Sequence, residues 1–289
     1  MKKRIILVVV VIQLVVVTLI GLNIKQKKEV RGVSVNPIER YEIISSPSGR
    51  LEGFYEPQIG DIKRDLSFLG EDYNYSVIYH INKDRLNQLH DYQVEKSNGI
   101  FRIITLGASF TFGANVNTKD NYPMQLQKML DRSCKNKKFE VLNLGMGGYD
   151  LEYSVERLKI RGMKYDPDLV IWLVTDDNFK TIKDIPEDSL AQISEEALVN
   201  MQKARIKELF SIYGGSVVFV GSKNLAWQHK NLLKRMTVIR PQTYFFTDAP
   251  DIYKRKAFLP DNHPNEKGYK LIAESIFDYV REENLIQCD

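Results

Sequence analysis

Residues 101–113 read Phe101-Arg102-Ile103-Ile104-Thr105-Leu106-Gly107-Ala108-Ser109-Phe110-Thr111-Phe112-Gly113. A short apolar run passes directly into a glycine and a serine. The run Phe101–Leu106 is predicted as a strand, and Ser109 stands at the start of a helix. A serine at such a turn is well placed for chemistry, because free N–H groups and the positive end of the helix favour developing negative charge. Serine is also a common helix cap, so the position gains meaning only in combination with others.

The same alternation continues along the chain. Phe139–Leu144, Asp168–Val174 and Ser216–Gly221 are further strand candidates, and Thr243–Phe246 a fifth. Residues 121–132, 151–161 and 190–212 read as helical. A last helix spans Asn265–Arg281, with Tyr269, Ile272, Ala273, Ile276 and Val280 on one face at about 3.6-residue spacing. Strands alternating with helices imply an α/β fold, a parallel sheet covered on both faces. In such sheets ligands bind beyond the carboxyl ends of the strands.

Those ends carry distinctive residues. The second strand runs into Asn143-Leu144-Gly145-Met146-Gly147-Gly148-Tyr149, where glycine allows close backbone approach. Asp150 stands where the dinucleotide-binding fingerprint needs its last glycine, and no phosphate-binding loop motif occurs anywhere. The third strand leads into Thr175-Asp176-Asp177-Asn178-Phe179. Ahead of the last helix stands Asp261-Asn262-His263-Pro264-Asn265. A histidine can take a proton from a serine hydroxyl near neutral pH, and a carboxylate can orient its ring. The other histidines are His80 and His90, before residue 100, and His229, in a helical stretch beside a lysine. These three read as surface residues.

Taken together, these blocks resemble the SGNH (GDSL-type) hydrolase family over about residues 100–283. Tyr79-His80-Ile81-Asn82-Lys83-Asp84-Arg85, followed by Arg102–Gly107, is similar to membrane-anchored bacterial members. The resemblance implies a three-layer α/β/α sandwich of flavodoxin-like SGNH type, with a parallel sheet of about five strands. It implies Ser109 as nucleophile, His263 as base and Asp261 as acid. The N–H groups of Ser109 and Gly148 would donate to an oxyanion. The expected reaction is acyl transfer through an acyl-enzyme that water hydrolyses. Two departures stand out. Ala108 replaces the family's aspartate before the serine. In the third block, register sets Asp177 where the family has an oxyanion-binding asparagine, and an ionised carboxylate there repels the oxyanion. Asn178 supplies the amide if the loop shifts by one residue, with Asp176 and Asp177 left as third-block neighbours.

The chain begins differently. Ile5–Ile24 are 20 residues without a charge, almost all Ile, Leu and Val. A helix of that length spans about 30 Å, the thickness of a hydrocarbon core. No Ala-x-Ala site follows, so an uncleaved transmembrane anchor is expected over a cleaved signal peptide. Lys2, Lys3 and Arg4 precede it and Lys25, Lys27, Lys28 and Arg31 follow, so the positive-inside count is nearly balanced. The signal-anchor reading puts the remainder outside the cytoplasm. The expected organisation is a tip and anchor over 1–24, a tether over 25–50, a partly extended lead-in over 51–100 that packs on the main domain, and the hydrolase-like domain over 101–289.

Composition sets the remaining bounds. Lysine and arginine number 41 against 37 aspartate and glutamate, a net charge of +4, without the concentrated basic face of a nucleic-acid binder. Hydrophobic content of 43% excludes disorder of the whole chain. Cys134 and Cys288 cannot make a four-cysteine zinc site. They either pair in an oxidising compartment or remain free thiols. No metal and no cofactor are expected. The expected function is a membrane-tethered esterase acting on O-acyl esters of a small molecule or envelope glycan, with the membrane as partner through residues 5–24. The alternatives are an inactive polysaccharide-binding protein on the same fold, or an O-acyltransferase.

Overall fold

The computed structural model describes residues 41–44, 51, 53–180, 192–222, 224–247 and 256–288. The expected anchor and most of the tether lie outside these residues. Among the described residues no helix is long and apolar enough to cross a membrane.

Nine strands are described: β1 (Tyr41–Ile43), β2 (Tyr55–Pro57), β3 (Gly60–Asp65), β4 (Ser76–Ile81), β5 (Ile100–Leu106), β6 (Lys138–Asn143), β7 (Leu169–Val174), β8 (Ser216–Gly221) and β9 (Thr243–Thr247). The helices are α1 (Ser109–Phe112), α2 (Tyr122–Ser133), α3 (Leu151–Arg157), α4 (Asp176–Lys180), α5 (Glu195–Ile212), α6 (Trp227–Ile239) and α7 (Glu266–Glu282). Strands β5 to β9 form one parallel sheet in the order β6-β5-β7-β8-β9. That order reverses direction between β5 and β7, so the switch point lies where the turns after these two strands diverge.

Strand β7 shows why the sheet lies in the middle layer. All six residues of β7 are buried, and they alternate between two cores. Val170, Trp172 and Val174 face a core with Leu151, Val155, Ile206, Leu209 and Leu233 of α3, α5 and α6. Leu169, Ile171 and Leu173 face the opposite core with Leu126, Leu130, Ile272, Ile276 and Val280 of α2 and α7. A strand buried on both faces needs apolar residues at every position, which is what the continuous run supplies. The three-layer α/β/α sandwich with a five-stranded parallel sheet therefore agrees with the expectation. The helical stretch expected over 151–161 is α-helical only to Arg157, then continues as a π-helical turn over Leu158–Gly162.

The lead-in forms the antiparallel pair β3 with β4, and its β2 pairs antiparallel with β1, which falls in the stretch expected as tether. Its Phe54, Tyr55, Tyr79 and Ile81 bury themselves with Phe112, Met146, Tyr149 and Tyr153. Glu56 adds an ionic tie. Fully buried, it takes Arg157 Nη1 at 3.1 Å and Arg161 Nε at 2.9 Å. At the other side of the sheet Cys134, which ends α2, is disulfide-bonded to Cys288, beyond α7.

Candidate active site

The turn after β5 is built around a close approach. Gly107 adopts φ +147°, and a Cβ there would lie 2.3 Å from Thr111 Oγ1 and 2.6 Å from the Leu173 carbonyl oxygen. Only glycine brings the end of β5 this near the end of β7. Ser109 then opens the single turn of α1. The N–H groups of Thr111 and Phe112 both bond to the Ala108 carbonyl. The first-turn N–H groups of Ser109 and Phe110 take no partner within the helix.

The turn after β6 lies beside it. Met146 N–H donates to the Gly107 carbonyl at 3.2 Å, and Gly148 follows with φ +74°. Asn143 turns its side chain inward, donating to the Phe112 carbonyl at 3.3 Å and accepting from Gly145 N–H at 3.0 Å. The asparagine that ends β6 thus locks these two turns together.

Asp261 and His263 occupy a tight loop closed by Leu259 N–H to the His263 carbonyl (2.8 Å) and Asn265 N–H to the Ala257 carbonyl (2.9 Å). Asn265 caps α7 by accepting from Gly268 N–H at 3.1 Å. Asp261 Oδ2 lies 2.9 Å from His263 Nδ1, and Oδ1 accepts from His263 N–H at 3.2 Å. Burial pushes the Asp261 carboxyl up, but hydrogen bonds from His263 and from Asn115 outweigh it and hold the group below the usual carboxylate range. An ionised Asp261 favours the tautomer with hydrogen on Nδ1, which leaves Nε2 as the basic nitrogen. Phe110, next to the serine, packs against the His263 ring with centroids 5.8 Å apart.

Ser109, Gly148, Asp176, Asp177, Asn178, Asp261 and His263 all line one cleft of about 680 Å³ at the carboxyl ends of the strands. The structure thus brings together every site residue named from the sequence, drawn from four separate connections. It also gives the third block distinct roles. Asn178 is buried; its Oδ1 accepts from Thr175 N–H at 2.7 Å and its Nδ2 donates to the Tyr149 carbonyl at 2.8 Å. Asp176 Oδ1 accepts from Ala226 N–H at 2.9 Å and meets His229 Nδ1 at 2.8 Å. Asp177 is the exposed member of the three.

His229 corrects an expectation. It is not a surface residue but buried, 8% exposed, and stacked on Phe179 with centroids 4.2 Å apart. The lysine beside it in sequence misled, because neighbours on a helix point to different faces. Asn115 was not singled out from the sequence. Its Nδ2 donates to Asp261 Oδ2 at 2.6 Å. No motif spacing links residues 146 positions apart, so only folding reveals the contact.

No family model matches the chain, and no curated protein matches it. Solved structures do. A two-domain esterase active on acetylated mannans aligns with a TM-score of 0.49 and 17% identity, over 66% of this chain and 52% of that one. This chain therefore spans about half the length of that esterase. A G-D-S-L family protein from Desulfitobacterium hafniense DCB-2 aligns at 0.46 and 18%, over 61% and 98%. The psychrotrophic esterase EstA from Pseudoalteromonas sp. aligns at 0.49 and 14%, over 63% and 98%.

Proposed function

We propose that this chain is a serine esterase that cleaves O-acyl esters. The observation that carries the reading is the Asp261–His263 pair, 2.9 Å apart, lining the same cleft as Ser109. His263 removes the Ser109 proton, and Ser109 Oγ attacks the ester carbonyl. The tetrahedral oxyanion accepts from the N–H groups of Ser109 and Gly148. His263 then protonates the leaving alkoxide, and a water deprotonated by the same ring hydrolyses the acyl-enzyme. Asp261 orients the ring and stabilises the imidazolium. No step needs a metal or cofactor.

In the same reading, Ile5–Ile24 anchor the chain in a membrane with the main domain outside the cytoplasm. Support comes from the uncharged span and from the Cys134–Cys288 disulfide, which suits an oxidising compartment. A tethered esterase meets acyl groups on envelope glycans, which makes these the natural substrate class. The cell test is proteolysis of intact cells, in which external protease removes the main domain if it lies outside.

A second reading, a glycan-binding protein without turnover, is favoured by one observation: Asn178 commits an amide hydrogen to Tyr149, and Asp177 stands exposed in the cleft. Hydrolysis of p-nitrophenyl acetate by the full chain and by Ser109→Ala separates the two. Turnover lost in the variant supports the esterase. Absent turnover in a folded parent, with no labelling by a serine-reactive phosphonate, supports the binder.

A further inference from the structure

We infer that Asn115 is a positioning residue for the Asp261–His263 pair, held in place by Tyr79 of the lead-in. The inference rests on the esterase reading and adds two members to its site. Asn115 Nδ2 donates at 2.6 Å to Asp261 Oδ2, the same oxygen that meets His263 Nδ1 at 2.9 Å. With Oδ1 taking His263 N–H, three donors converge on one carboxylate. Two donors on a single carboxylate oxygen fix the plane of the group, because its lone pairs are directional. The plane of Asp261 in turn fixes where the His263 ring points.

Asn115 is itself held. It is 2% exposed and adopts φ +67°, a left-handed conformation that asparagine tolerates better than most residues. Its backbone N–H donates to Tyr79 Oη at 2.9 Å. Tyr79 is fully buried and packs edge-on against Phe112, with centroids 5.0 Å apart. The strand around it grips the same loop. Ile78 N–H donates to Asn117 Oδ1 at 3.0 Å, and His80 N–H donates to Thr118 Oγ1 at 2.7 Å. From the opposite side, Tyr269 of α7 donates its hydroxyl to the Ala114 carbonyl at 3.0 Å. The loop that carries Asn115 is therefore clamped between β4 and α7, and the direction of its amide is set before any substrate arrives.

The donor end of that amide is what the site uses. Asn115 Oδ1 is buried without a hydrogen-bond partner among the described residues. The bond to Asp261 also helps to keep that carboxylate ionised beside His263.

The test uses the full chain and Asn115→Gly, Asn115→Asp and Tyr79→Phe. Glycine and aspartate both accept the left-handed backbone; glycine removes the donor outright, and aspartate replaces it with a carboxylate that opposes the Asp261 charge. Three readouts are taken: kcat and KM on p-nitrophenyl acetate, thermal melting, and the ring tautomer of His263 by 15N NMR. Expected for Asn115→Gly and Asn115→Asp is a fall in kcat of roughly ten- to hundred-fold, KM within about two-fold, and a mixed tautomer for His263. Tyr79→Phe gives a smaller change in the same direction. Unchanged kcat and an unchanged tautomer in a folded Asn115 variant overturn the inference. The NMR readout is repeated in Ser109→Ala, where it needs no turnover. A tautomer shifted by the Asn115 substitutions, when the parent has no activity, sinks the esterase reading and keeps the positioning role. An unshifted one sinks the positioning role whatever the activity. Should Asn115→Gly fail to fold, Asn115→Asp and Tyr79→Phe carry the same comparison.

Discussion

Asn178 donates its side-chain amide to the Tyr149 carbonyl at 2.8 Å, turning it toward the connection after β6. Its carbonyl is equally engaged, by Thr175 N–H at 2.7 Å. The residue thus closes the turn after β7, while the exposed Asp177 lines the same cleft as Ser109.

In the esterase reading, Asp177→Asn exchanges a cleft-lining carboxylate, which would repel an oxyanion, for an amide able to donate to one. Hydrolysis of p-nitrophenyl acetate is expected to rise, by at least about ten-fold, since one oxyanion donor is commonly worth about 10²–10³ in kcat. A rate that stays level would place the Asp177 side chain away from the developing charge.

Asn178→Ala is expected to act on stability. It leaves the Tyr149 carbonyl and Thr175 N–H without their partner, at a cost of about 1–3 kcal/mol. Chemical denaturation of the parent and the variant measures it.

Reduction of the Cys134–Cys288 disulfide, or Cys134→Ser with Cys288→Ser, is expected to lower stability by about 2–4 kcal/mol. The bridge ties the end of α2 to the segment after α7 across a separation of 154 residues. Urea unfolding with and without dithiothreitol reads the difference. Coincident curves would show that the closed loop adds nothing.

Glu56→Gln is expected to destabilise by about 3–5 kcal/mol, because it leaves the buried Arg157 guanidinium without its counter-charge. Since Glu56 belongs to β2, the variant is also expected to expose the lead-in to limited proteolysis before the rest of the chain.

The lowered carboxyl of Asp261 makes stability depend on pH. The unfolded chain holds that group at the ordinary value, about 3.9, and the folded protein holds it lower. Its contribution is therefore fully present above the ordinary value and is lost as pH falls through the folded value. Denaturation midpoints between pH 6 and the acid limit should fall less steeply in Asp261→Asn than in the parent.

Much of this site was legible in the chain because its signals are local. A strand buried on both faces is mostly apolar, so β7 and β8 stood out as short runs, while β5 and β6 each bury one charged residue, Arg102 and Glu140, paired at 2.6 Å. The turns that follow must carry glycine or small polar residues, so Ser109 and Gly148 were marked by their place after a strand. Asp261 and His263 are two residues apart, and their pairing is almost a property of the loop itself. The lead-in was less readable. Its strands are three to six residues long, and β3 alternates exposed Lys63 with buried Arg64, a charge inside that no pattern of polarity predicts.

What the sequence determined by itself is thus the periodic part: which segments are strands and helices, that the sheet is parallel, and which side chains stand at the strand ends. The tertiary structure alone decided which of those side chains meet. It set Asn115 against Asp261, turned Asn178 toward Tyr149 and left Asp177 to the cleft, and drew His229 into a buried stack on Phe179. Periodicity arises from the local geometry of the backbone and repeats within a few residues. Hydrogen bonds between residues far apart in sequence depend on where separate turns come to rest on the sheet, and no short-range pattern encodes that.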